Sequence, residues 1–213
     1  MSIQNETKEI VLAENAVPIL PKTWDRRMAK WVSNAGNPIS LAIMGTLISA
    51  KIINSREAWH WIGFLLFTTT VLPASFLIWL VKKGKISDFD VYHRTQRRGP
   101  YIFILSCMFL SMIMMWLSKA PAILSTFITA AFLQTIFLFA VNSRWKISAH
   151  SSGMAGFVTI VIYMVGSPAL PITVGVPLMI WARVRLRRHT FWQTVAGTFL
   201  GAAIYASCLI LFL

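Results

Sequence analysis

Two short polar stretches hold the residues of this chain whose types and spacing could do chemistry. "RWKISAHSSG" (144–153) supplies Arg144, Lys146, Ser148 and His150, and "ARVRLRRHTFWQ" (182–193) supplies Arg183, His189 and Gln193. A third stretch, "VKKGKISDFDVYHRTQRRGP" (81–100), adds Asp88, Asp90, Arg94, Arg97 and Arg98. Guanidinium groups bind phosphate through paired hydrogen bonds and stabilise charge on phosphoryl oxygens. An imidazole can attack phosphorus or protonate a leaving oxygen. All seven Asp and Glu lie at or before Asp90, so a carboxylate-built metal site is poorly supplied, and no metal or other cofactor is expected. The residue types therefore suggest a phosphate ester cut by two histidines, one attacking and one protonating. The residues alone leave open which does which.

The spacing carries a family resemblance. "ISAH" (147–150) resembles the "PSGH" motif of the type 2 phosphatidic acid phosphatase superfamily. "ARVRLRRHTFWQ" resembles that family's third motif: Ser-Arg, five residues, His, three residues, Asp. Five residues separate Arg183 from His189, as in the motif. The resemblance covers about the last third of the chain, including the order of His loop, hairpin, His loop and final helix. It implies that His189 is the nucleophile, forming a phosphohistidine, and that His150 is the general acid. It implies Ser148 and Arg183 as phosphate ligands. Ile147, Ala149 and Ala182 depart from the motifs, and Gln193 stands where the family has the Asp that orients the nucleophile. A Gln can accept a hydrogen bond from the imidazole but cannot stabilise the imidazolium by charge, so lower activity is expected. Asp90 or Asp88 could reach in to orient the ring instead. The family's first motif, Lys, six residues, Arg-Pro, is matched only loosely by Lys85, Arg94, Arg97, Arg98 and Pro100.

The elements that must position these groups are apolar. Hydrophobic residues make up 56% of the 213 and charged ones 13%, against about 25% in soluble domains. Apolar stretches fall near 38–55, 60–81, 101–118, 120–141, 153–166, 169–182 and 191–213. They predict an all-α, polytopic bundle of seven membrane helices, with 153–182 a short-armed hairpin turning at "GSPALP". Ahead of them, "PKTWDRRMAKWVS" places Trp24, Met28 and Trp31 on one side of a helix, with Arg26, Arg27 and Lys30 largely opposite and Thr23 as N-cap. That predicts an interfacial helix within an N-terminal segment, 1–37, ahead of a membrane domain, 38–213. Cys107 and Cys208 lie in apolar spans and read as small hydrophobes.

Net charge is +13, and 17 of the 20 Lys and Arg fall before the first span or in the three loops that share its side. The positive-inside rule puts the N-terminus and these loops in the cytoplasm and the C-terminus outside. Basic residues confined to gaps between spans suit anionic headgroups and phosphates rather than nucleic acid. Arg185, Arg187 and Arg188 read as topology and headgroup contacts. The expected activity is removal of phosphate from a lipid phosphate or prenyl (di)phosphate, with membrane lipids as the surroundings. Two alternatives share the residues: a lipid phosphotransferase, or a catalytically decayed protein that binds anionic lipid or serves as a subunit of a membrane complex.

Overall fold

The computed structural model describes residues 23–86 and 98–213, and these are all-helical, with no strand among them. Asp88, Asp90, Arg94 and Arg97, and the loop they occupy, lie outside the described residues, as does the chain before Thr23. Among the described residues eight α-helices follow in order: α1 (Trp24–Ala35), α2 (Pro38–Ile53), α3 (Arg56–Lys82), α4 (Arg98–Leu117), α5 (Ala122–Asn142), α6 (Ala149–Val165), α7 (Gly175–Arg185) and α8 (Phe191–Phe212).

Local chemistry sets the boundaries. Asn37 caps α2 by accepting from the Ser40 N–H at 2.9 Å, and Pro38 fills the first helical position, where no N–H is needed. Ser55 caps α3 in the same way, accepting from Ala58 at 3.1 Å. Within α3, Phe67–Val71 forms a π turn in which the Leu72 N–H reaches the Phe67 carbonyl. Pro73 explains it: proline has no N–H for the carbonyl four residues back and its ring crowds that group, so the helix widens just upstream. Gly166, with φ of 77°, ends α6, and a 3₁₀ stretch over Ser167–Val174 leads into α7. This is the "GSPALP" turn expected between the hairpin arms.

The arms themselves differ from expectation. α6 begins at Ala149 rather than near 153, because Ser148 caps it and draws His150, Ser151 and Ser152 into the first turn. Its 17 residues are about 25 Å long, short of a hydrocarbon core of about 30 Å. The second arm runs Ser167–Arg185, 19 residues, long and apolar enough to cross. Arg56–Lys82, Gly99–Leu117, Ala122–Asn142 and Phe191–Phe212 also qualify, giving five such helices among the described residues. α2, at 16 residues, reaches spanning length only when joined to α1 across a 51° bend. The Asn37–Pro38 pair makes that break, since the residue before proline avoids the helical region.

Lipid tails are as apolar as leucine, so helices in a bilayer associate by close packing and internal hydrogen bonds rather than by expelling water. The closest packing is between α6 and α8. A Cβ at Gly197 would meet the Ser148 carbonyl, and one at Gly201 the Ser152 carbonyl; Gly156 in turn leaves room for the ring of Tyr205. Phe127 of α5 meets the Tyr205 ring edge-on at 6.0 Å, closing a core with Leu41, Phe157, Ile160 and Leu209. A second core joins α3, α4 and the ends of α2 and α5 around Ile62, Leu65, Met115 and Leu124. Polar clips reinforce it: Ser111 donates to Thr68 at 2.8 Å, and the Trp116 indole donates to Thr129 at 3.0 Å.

α1 carries Trp24 and Trp31 more than 70% exposed and turns Ala29 and Ser33 inward against α7. Thr23 occupies the N-cap position, but its hydroxyl makes no capping bond. It accepts instead from Arg185 Nη2 at 3.5 Å. α1 thus docks its small residues on the bundle and leaves Trp24, Met28 and Trp31 exposed together with Arg27 and Lys30.

Candidate functional site

The two histidine-bearing stretches meet where α6 and α8 begin. The Ser148 N–H donates to the Gln193 carbonyl at 3.2 Å. His189 Nδ1 lies 3.4 Å from the Lys146 carbonyl. A carbonyl only accepts, so as a hydrogen bond this contact is donated by a proton on Nδ1. The glycines of α8 make the approach possible, because side chains at Gly197 or Gly201 would collide with the α6 backbone.

Behind this contact, the first turn of α6 forms a buried polar nest. Ser148, Ser151 and Ser152 are each no more than 1% exposed and His150 is 8% exposed. The Ser148 hydroxyl caps the helix, accepting from the Ser151 N–H at 3.3 Å and from the Ser151 hydroxyl at 3.1 Å. Gln134 of α5 donates to the Ser152 hydroxyl, and fully buried Thr194 of α8 donates to the Phe191 carbonyl at 2.6 Å. Unpartnered polar groups away from water cost roughly 1–3 kcal/mol each, so such a nest persists only because its members bond one another.

The remaining candidates are distributed around this end. Lys146 is half-buried and supplies the carbonyl beside His189, while Arg144 is exposed. Arg98 opens α4. Arg183, near the end of α7, is 4% exposed, and its Nη1 donates to Ser33 of α1 at 2.7 Å. Gln193 sits in a capping box: its Oε1 accepts from the Thr190 N–H at 3.0 Å while the Thr190 hydroxyl accepts from the Gln193 N–H. The carboxamide oxygen therefore serves the helix start, and the Lys146 carbonyl lies beside His189 Nδ1.

Three features of this end escape a reading of motifs. Ser33 and Gln134 lie on distant helices, and their contacts with Arg183 and Ser152 span 150 and 18 residues. The third is the ion pair between Arg185 Nε and Asp25 Oδ2, 2.6 Å long. The Arg185 guanidinium first, and the Thr23 hydroxyl second, hold the Asp25 carboxyl at about 2, below its ordinary 3.8. Small residues at 29 and 33, one turn apart and opposite the tryptophans, are the one local sign that α1 docks there. Among the described residues, no three His, Cys, Asp or Glu cluster as metal ligands.

Compared with family models, with curated proteins and with solved structures, the chain gives no match.

Proposed function

We propose that this protein is a membrane-embedded phosphatase that removes phosphate from a lipid phosphate or prenyl (di)phosphate through a phosphohistidine at His189. The observation that carries the reading is the meeting of the two loops, with His189 Nδ1 on the Lys146 carbonyl four residues before His150. With a proton on Nδ1, Nε2 is the nitrogen that would serve as the nucleophile. Resemblance to the type 2 phosphatidic acid phosphatases supplies the division of labour between the two rings.

In the first step Nε2 of His189 forms a bond to phosphorus as the bond from phosphorus to the ester oxygen breaks. His150 gives its proton to the departing oxygen. In the second step water attacks the phosphohistidine, His150 takes the water's proton, and inorganic phosphate leaves with Nε2 restored. Arg183, with Arg144, Lys146 and the arginines of the 81–100 stretch, would neutralise the phosphoryl charge, and Ser148 would donate to it. The apolar helices around this end suit an amphiphilic substrate whose tail stays in the bilayer. The same reading includes seven membrane crossings, with the N-terminus and the site on the cytoplasmic side, where cations predominate.

The test is phosphate release from farnesyl diphosphate and phosphatidate by detergent-solubilised protein with a chelator present. Release is expected, along with an acid-labile, base-stable phosphoryl label that is absent in His189→Ala. His150→Ala should slow turnover by about 10²–10⁴, the usual contribution of a general acid, while still allowing the label to form. No release from either substrate alongside an active control would end the reading.

One observation favours a second reading, a decayed site that binds anionic lipid without turnover: the Gln193 oxygen is committed to the helix cap. That reading gives headgroup binding by the wild-type protein with no label on His189.

A further inference from the structure

The surface of α1 falls into three strips. At about 100° per residue, Ala29 and Ser33 lie on one side and dock against α7, while Trp24, Met28 and Trp31 lie on the other. Trp24 is 75%, Met28 42% and Trp31 71% exposed. Arg27 and Lys30 fill a strip between the two, and both are exposed. Among the described residues no carboxylate is left to face them, for the acids there are Asp25 and Glu57 alone. Asp25 is taken by Arg185 at 2.6 Å, and Glu57 lies in the first turn of α3, where its Oε1 accepts from the Trp61 indole at 3.3 Å. α7, on which α1 rests, carries no acid, nor does any residue after Asp90.

We propose that the exposed face of α1, with Trp24 and Trp31 flanked by Arg27 and Lys30, is a docking surface for anionic phospholipid, separate from the meeting point of α6 and α8. Indole rings and a methionine side chain favour the boundary between headgroups and acyl chains. Cations along the flank of such a face draw anionic headgroups over zwitterionic ones. Both parts are needed. A soluble anion brings no acyl chain to the tryptophans, and a zwitterionic lipid brings no net charge to Arg27 and Lys30. The way α1 is held serves the same end. Asp25 is the one acid of the helix, and its pairing with Arg185 fixes α1 on α7 while neutralising the charge that would repel a phosphate. The lipid is bound here and not turned over, so the proposal stands apart from the phosphatase reading.

The experiment measures binding of dioleoylphosphatidylglycerol and dioleoylphosphatidylcholine to the full-length protein in detergent, by native mass spectrometry. The wild type should hold phosphatidylglycerol the more tightly. Arg27→Gln with Lys30→Gln should weaken phosphatidylglycerol about thirtyfold, from about 1 kcal/mol for each cation near an anionic surface, and leave phosphatidylcholine within about twofold. Trp24→Ala with Trp31→Ala should weaken both lipids. Lys51→Gln with Lys119→Gln removes two exposed cations from the opposite end of the bundle and should leave phosphatidylglycerol within about twofold. Equal affinity of the wild type for the two lipids overturns the proposal, as does unchanged phosphatidylglycerol binding when Arg27 and Lys30 are replaced. A loss as large on replacing Lys51 and Lys119 means that net charge alone draws the lipid, and the proposal falls. Loss in His189→Ala, with binding retained when Arg27 and Lys30 are replaced, moves the lipid to the α6–α8 meeting point and overturns it too. None of these outcomes bears on phosphate release, so the phosphatase reading stands or falls by its own assay.

Discussion

The two ends of α6 are built on opposite plans. Its first turn is polar, buried and hydrogen-bonded, with Ser148, His150, Ser151 and Ser152 pressed against α8 through Gly197 and Gly201. Its last turn is loose and apolar. Tyr163 and Met164 border a hollow of about 390 Å³ with Ile52, Ile53, Ile123 and Leu213, and Tyr163 is 52% exposed. The bilayer is symmetric in its demand for apolar surface, so it cannot explain this asymmetry. Burying hydroxyls and an imidazole is costly in any apolar setting; Ser148 offsets part of that cost by capping α6 through the Ser151 N–H, a bond that does not involve His150. The polar end is also where His189 arrives and where Arg183 is held by α1. α6 is scaffold at one end and candidate site at the other.

The largest expected effect breaks that contrast by filling the tight seam. Gly201→Leu would drive a side chain into the Ser152 backbone, which cannot rotate away. A loss of about 3 kcal/mol or more is expected, with aggregation or failure to purify as a monodisperse species. Ile53→Val, beside the hollow at the other end, should cost no more than about 1.5 kcal/mol. Thermal unfolding in detergent, read with size-exclusion chromatography, compares the two. Equal tolerance at both ends would mean that the close approach of α6 to α8 is not what holds the polar nest together.

Much of this architecture is legible in the sequence, for identifiable reasons. The apolar runs mark the helices because membrane spans need uninterrupted apolar length. Asn37–Pro38, Ser55 and Gly166 mark boundaries because their conformational preferences act locally. The loops carrying His150 and His189 were expected together from motif spacing, and their backbones and the His189 ring do meet. What escapes the sequence is pairing across distance. Nothing near Arg183 announces Ser33, and nothing near Ser152 announces Gln134, because such contacts depend on how whole helices dock. Gln193 teaches a different lesson. Thr190-x-x-Gln193 has the form of a capping box, a local signature, but its place in a stretch that resembles a phosphatase motif suggests an orienting role. In the structure the cap holds the carboxamide oxygen.

A pair of substitutions at Gln193 separates those two roles and gives the next effect in size. Gln193→Ala removes the reciprocal cap and should destabilise α8 by about 1 kcal/mol, read as a lower melting temperature. Gln193→Glu keeps a capping side chain and adds negative charge one turn from His189, at a helix start where an anion is favoured. Stability should therefore hold or rise slightly. Turnover should rise if the catalytic groups are otherwise intact, since a nearby anion stabilises an imidazolium. An unchanged rate in Gln193→Glu, with stability preserved, would weigh toward the decayed site.

The smallest effect concerns the ion pair that braces the polar end from outside. Asp25 has its folded pKa lowered to about 2 from an ordinary 3.8, chiefly by the Arg185 guanidinium. A carboxyl with a depressed folded pKa adds stability that is fully present above its unfolded value. That stability fades as pH falls through the folded one. The melting difference between wild type and Asp25→Asn should therefore be flat from about pH 7 down to about pH 5. It should shrink as pH falls below 3.8 and be lost only once pH is below about 2. The pair is partly exposed, so the difference should be modest and should also shrink as salt is raised. A difference that instead disappears between about pH 6 and 7 would show that ionisation of Asp25 is not what the brace depends on.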